Sequence, residues 1–157
     1  MNSLQSPFKT GTVALILVFS LALITGCSSF LAKKKLEQLD KVVRIYNNAF
    51  ESKSEDGGSM YVQNEYRMDY LLKYGEIQNK VNFLNAQILN QAYFKAGKPL
   101  QVSKDNPEGD VDEAVLTMRY QVIVSPSPRL KTFIHEQHWK YDGTIWLLEP
   151  NLEPFLH

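Results

Sequence analysis

The strongest pattern in the chain is an uninterrupted apolar stretch near the N-terminus. No charge occurs from Thr10 to Ala32, Val13 to Ile24 is almost wholly apolar, and Lys9 precedes the run. A basic start, a short apolar segment and a small-residue exit describe a secretory signal peptide. The uncharged stretch is also just long enough to span a bilayer. Its strongly apolar part stops at Ile24, however, and Thr25-Gly26-Cys27-Ser28-Ser29 is a poor helix end in lipid. The expectation is a leader over 1–26 that is removed.

Beyond the leader the pattern takes a helical period. Leu36, Leu39, Val43, Tyr46 and Phe50 are spaced 3, 4, 3 and 4, with Glu37, Asp40, Lys41, Arg44 and Asn47 largely off that face. This predicts an amphipathic helix packed on its own domain. As a coiled-coil seam it offers only two heptads. Gly57-Gly58 should end the region. A second helix is expected over 63–73, with Tyr66, Tyr70, Leu71 and Leu72 as its buried positions and Gly75 as its stop. Segment 76–95 fits both periods. Ile77, Val81, Leu84, Ile88 and Ala92 suit a helix, whereas Leu84, Ala86, Ile88, Ala92 and Phe94 suit a strand. It is read as mainly strand, because the next strand needs a partner, and Gly97-Lys98-Pro99 is expected to break it.

Residues 104–113 form a polar loop with Asn-Pro and Glu-Gly turn signals. Ala114 to Val124 then alternates cleanly. Ala114, Leu116, Met118, Tyr120, Val122 and Val124 occupy one face, and Thr117, Arg119 and Gln121 the other. Ser125-Pro126-Ser127-Pro128 turns the chain, since proline cannot continue a paired central strand. Strands over 132–141 and 144–149 flank Asp142-Gly143, a strong short-range hairpin signal. A two-residue loop would set Tyr141 against Thr144 and Trp139 against Trp146, with Phe133 and Leu148 on the same face. Pro150 closes the strand, and Leu152 and Phe155 should lay the tail back on the domain. Helices followed by an antiparallel sheet predict an α+β domain over 36–157, joined to residue 27 by a tether over 27–35.

Composition narrows the function. Removing the 26-residue leader from 157 leaves 131 residues, enough for one core. The whole chain has 17 basic and 17 acidic residues; losing Lys9 leaves 16 against 17, which gives no basic excess for nucleic acid. Cys27 is the only cysteine, so no disulfide can form within the chain. Lys33-Lys34-Lys35 can be a solvated first helical turn, a basic collar against anionic head groups, or both.

Ile24-Thr25-Gly26-Cys27, preceded by Leu23, resembles the lipobox of bacterial lipoproteins. That resemblance implies a diacylglyceryl group on the sulfur of Cys27 and, usually, an acyl chain on the new N-terminus. Two or three chains make an effectively permanent membrane anchor, which one chain does not. Ser28, where an aspartate would favour the inner membrane, implies the outer membrane with the domain facing the periplasm. A second resemblance rests on Arg119 to Val124, Glu136 to Trp139, Tyr141-Asp142-Gly143 and Trp146-Leu147-Leu148. These look like the terminal strands of cystatin-like domains of the nuclear-transport-factor superfamily. Many small bacterial lipoproteins end in a Trp-x-x-Asp-Gly-x-Trp-x-Leu pattern; here one more residue separates Gly143 from Trp146. The resemblance implies helices packed on a curved antiparallel sheet, a cone with a pocket. The family includes isomerases, dehydratases and non-catalytic binding domains, so the fold leaves the function open.

Candidate chemistry is sparse. His135-Glu136-Gln137-His138 is one residue short of the zinc motif His-Glu-x-x-His, and on a strand His135 and His138 point to opposite faces. Asp105, Glu108, Asp110, Asp112 and Glu113 share a loop but lack the spacing and internal glycine of a calcium-binding helix-loop-helix. Tyr120, Tyr93 and Glu136 are the conceivable members of an acid–base site, and nothing in the sequence places them together. No nucleophile motif or phosphate-binding glycine loop is present, and no metal or cofactor is expected. The reading is a non-enzymatic binding or scaffold domain of the cell envelope. It is held to the membrane through Cys27 and meets a protein or other envelope partner. The alternative is a pocket binder or an isomerase- or dehydratase-type enzyme. Pocket lining discriminates them: an enzyme needs convergent polar groups inside the cone, whereas an interaction domain can fill it with Trp, Tyr and Leu.

Overall fold

The computed structural model describes residues 31–102 and 110–156. Helix α1 covers residues 31–51. Two 3-10 turns, Ser59–Tyr61 and Asn64–Tyr66, lead into α2, Arg67–Lys80. The strands are β1 (Val81–Lys95), β2 (Lys98–Leu100), β3 (Glu113–Val124), β4 (Leu130–Tyr141) and β5 (Trp146–Glu149), and a 3-10 turn at Glu153–Phe155 follows. The order in the sheet is β2-β1-β3-β4-β5, with every neighbouring pair antiparallel. The architecture is α+β. No described helix is long and apolar enough to cross a membrane.

α1 buries the face that its periodicity predicts. Leu36, Leu39, Val43, Tyr46 and Phe50 are all in the core. Asn47, assigned to the polar side, is buried with them, because it meets polar partners on the sheet. The helix ends before the glycine pair, which serves a different purpose. Gly57 and Gly58 both have positive φ, and a Cβ on Gly58 would lie 2.9 Å from the Tyr46 ring. Only glycine lets the turn adopt this conformation against packed aromatic rings.

The second helix starts later and runs longer than its sequence signals indicate. Gly75 lies inside α2, and a Cβ there would meet nothing within 4 Å. Glycine inside a helix costs about 1 kcal/mol relative to alanine. Continuing the helix gives Tyr74 and Ile77 burial on the same face as Tyr70, at i+4 and i+7. Tyr74 Oη donates to Ser54 O at 2.9 Å, Gln78 Nε2 donates to the same oxygen at 2.9 Å, and Tyr70 Oη donates to Gly57 O. These bonds tie α2 to the chain leaving α1. Tyr66, Leu71 and Leu72, the other expected core positions, are exposed, Leu72 by 68%.

β1 begins at Val81, so residues 76–80 of the ambiguous segment are helical. The rest is strand, with two bulges: β3 pairing skips Leu84 and Leu89. The residues facing the core-side positions of β3 are therefore Val81, Phe83, Ala86, Ile88, Gln91 and Tyr93. That alternating spacing of two and three averages near 2.5, which is why neither a strict two nor 3.6 described the segment. Ala96 and Gly97, both at positive φ, reverse the chain into β2. Gly97-Lys98-Pro99 thus turns the strand back on itself, and Pro99 sits on the sheet edge, where its missing N–H is tolerated.

β3 follows its predicted alternation, with Ala114, Leu116, Met118, Tyr120 and Val122 buried. The β4–β5 hairpin has a four-residue loop, and its register differs accordingly. Tyr141 pairs with Trp146 and Trp139 with Leu148, so the two tryptophans are not directly opposed. Asp142 is the cause. Its Oδ1 accepts from Thr144 N at 2.7 Å and Ile145 N at 2.9 Å, and its own N–H donates to Ile145 O. Both tryptophans are nevertheless fully buried on the inner face. The tail does return: Phe155 packs its ring against Phe50, Phe83, Tyr120, Phe133 and His135 at centroid distances of 4.9–5.8 Å.

Candidate functional site

Cys27, Asp105 and Glu108 lie outside the described residues. Of the other carboxylates in that cluster, Glu113 opens β3, and Asp110 and Asp112 are committed to lysines. Asp110 binds Lys35 at 2.8 Å and Lys95 at 2.7 Å, and Asp112 binds Lys95 at 3.3 Å. The two lysines hold the Asp110 carboxyl below its ordinary range. Lys35 also stands 4.0 Å from the centre of the Tyr141 ring, a cation–π contact. The lysine triplet therefore divides: Lys33 and Lys34 are exposed, whereas Lys35 clamps α1 to the loop and to β4. Trp146 Nε1 donates to Lys35 O at 3.0 Å from the other side. Among the described residues, no three His, Cys, Asp or Glu side chains group to hold a metal ion.

The two histidines of β4 fall on opposite faces. His135 is buried, and burial, followed by the nearby charge of His138, pushes its pKa down to about 4. His138 is on the outer face with Glu136, 3.6 Å away. The three conceivable acid–base residues are not brought together. Glu136 is on the outer face of the sheet, Tyr93 donates to Gln91 Oε1 at 2.7 Å, and Tyr120 belongs to a separate buried network.

That network is the main polar feature of the interior. Asn47 Oδ1 accepts from Gln137 Nε2 at 2.7 Å and from Tyr120 Oη at 3.3 Å. Gln137 Nε2 also approaches Tyr120 Oη at 3.1 Å, and Trp139 Nε1 donates to Gln137 Oε1 at 3.3 Å. Burial, then the proximity of Tyr46 and Glu51, pushes the Tyr120 phenol well above its usual pKa. Sequence reasoning missed Asn47 and Gln137. Gln137 was within reach, because it shares strand parity with Phe133 and Trp139; Asn47 was hidden at the border of its helical face.

Beside the network, α1 leaves part of the sheet's inner face uncovered. A cleft of about 610 Å³ opens between the polar side of α1 and β1–β3. Its floor is Ala86, Ile88 and Met118, and its helical wall carries Glu37, Asp40, Lys41, Arg44 and Glu51. Asn48 and Glu51 continue it into a smaller hollow of about 370 Å³ at Phe83, Leu84 and Asn85. Burial raises the Glu51 pKa, and among the described residues no cation or hydrogen bond offsets it. A third hollow, about 780 Å³, lies at the N-terminal end of α1, by Lys34, Gln38, Tyr141 and Thr144. The chain matches no protein-family model, no curated protein and no solved structure.

Proposed function

We propose that this protein is a bacterial lipoprotein whose domain serves as a non-enzymatic binding or scaffold module of the cell envelope. The leader over 1–26 is removed, and lipid on Cys27 holds the chain to the outer membrane, facing the periplasm. Helical structure from residue 31 leaves a short link to Cys27, so the exposed Lys33 and Lys34 stand close to the head groups. We read the domain as cystatin-like, which accords with a long N-terminal helix laid on one face of an antiparallel sheet. The partner is a protein or another envelope component, and nucleic acid is not among the ligands.

The observation that carries the non-enzymatic reading is the filling of the inner face around Tyr120 and Gln137. Phe50, Phe133, Phe155 and Trp139 pack there, and Asn47, Tyr120, Gln137 and Trp139 hydrogen-bond to one another, away from the cleft floor. A general acid or base must reach a substrate proton directly or through one water. The anchor is tested by Cys27→Ser in the bacterial host with labelled palmitate. The wild type should incorporate label and lose its leader, and the variant should do neither. A variant that still matures and labels contradicts the lipoprotein reading.

A further inference from the structure

We propose that the cleft between α1 and β1 binds an organic cation, an ammonium or guanidinium group on an aliphatic body, with Glu51 as counter-ion and Ala86, Ile88 and Met118 under the apolar part. The site goes beyond the envelope reading and does not depend on lipid at Cys27. Glu51 is half-buried, and among the described residues its carboxylate has neither an ion pair nor a hydrogen bond. A desolvated charge without a partner is unfavourable, and a cationic ligand removes that penalty. Asp110 and Asp112, by contrast, are paired with Lys35 and Lys95.

The wall also gives the ligand a direction. Glu37, Asp40, Lys41 and Arg44 line the same cleft on the preceding turns of α1, two acids and two bases whose charges offset. Arg44 and Glu51 are seven positions apart, roughly 10 Å along a helix. The far end thus carries no net charge, and the ligand's cationic head lies at Glu51 with its body over Ile88 and Met118. The volume, about 610 Å³, is in the range of small-ligand sites. A free alkylamine and the lysine side chain of a peptide share this chemistry.

The test is calorimetric titration of the full-length protein in non-ionic detergent at neutral pH, with detergent-only titrations subtracted. The probes are n-hexylamine, its neutral analogue n-hexanol, and N-acetyl-lysine methylamide. Hexylammonium should bind saturably, and hexanol about tenfold or more weaker, as a charge-assisted contact implies. Glu51→Gln should lower hexylammonium affinity about tenfold, whereas Glu136→Gln on the outer face should leave it unchanged. Glu51→Gln keeps the side-chain size and should melt no lower than wild type. Ile88→Lys, at a partly exposed position, supplies a competing ammonium and should abolish binding. The same Glu51 dependence for the blocked lysine identifies a peptide source; hexylammonium alone identifies a free amine. Equal binding of hexanol, undiminished affinity in Glu51→Gln or Ile88→Lys, or no saturable binding of either cation overturns the proposal.

Discussion

The two faces of β4 carry similar residue types and treat them oppositely. Inward lie His135, Gln137 and Trp139, all buried; outward lie Ile134, Glu136 and His138, all exposed. One histidine is kept neutral by burial, and the other sits in solvent beside a carboxylate. Gln137 is satisfied by Asn47 and Tyr120, and the Trp139 indole by Gln137, as buried polar groups require. An apolar residue, Ile134, is left outside. Strand parity, not residue type, decides which side chain is structural. A motif such as His-Glu-Gln-His loses its apparent chemistry once it is split between two environments.

Substitutions on the two faces should differ accordingly. The largest effect is expected for Trp139→Ala, which removes a fully buried indole in edge contact with Tyr46 at 5.6 Å and an indole donor to Gln137. The cost should be about 3–5 kcal/mol, against a total stability of roughly 5–15 kcal/mol for a domain. Chemical denaturation of the full-length protein measures it, and a loss under about 1 kcal/mol would place Trp139 outside the load of the core.

The next effect is pH-dependent. The folded His135 pKa, about 4, lies below its ordinary value of 6.5. Between these values the unfolded chain binds the proton and the folded chain does not, so acid favours unfolding. This contribution to stability is intact above about pH 6.5 and lost progressively down to about pH 4, where the loss reaches roughly 3 kcal/mol. His135→Leu should remove this part of the acid sensitivity. Denaturation midpoints of wild type and variant, compared at neutral pH and near pH 4.5, should converge or cross in favour of the variant at the acid end. Parallel decline would show that His135 protonates equally in both states. The smallest effect is expected for His138→Ala, within about 0.5 kcal/mol, as for most exposed positions. A shift as large as that of Trp139→Ala would reverse the assignment of faces.

Where one period governed an element, the sequence was enough. The α1 face and the β3 alternation follow directly from spacing, and so does the return of Phe155, an apolar residue in a short tail with a core to meet. The departures have specific causes. Two bulges mixed the period of β1, and packing of Tyr74 and Ile77 carried α2 through Gly75. Asp142 enlarged the hairpin loop through side-chain bonds that the Asp-Gly signal does not specify. The cleft was not legible at all, because it joins the polar side of α1 to a strand more than thirty residues away. Its key residue, Glu51, falls just beyond the helical face that the apolar spacing traced. Only the fold reveals that, among the described residues, no cation pairs with it.

The central claim is that the inner polar network is a closed part of the core and not an open catalytic pocket. Hydrogen exchange at the Trp139 indole N–H tests it most directly, with the resonance assigned by Trp139→Phe. This N–H donates to Gln137 inside the network and belongs to a residue with no exposed surface. The account predicts exchange as slow as the most protected amides of β3, governed by global unfolding. Exchange on the timescale of exposed groups, under conditions where the β3 amides stay protected, would mean that water enters the interior and would contradict the claim.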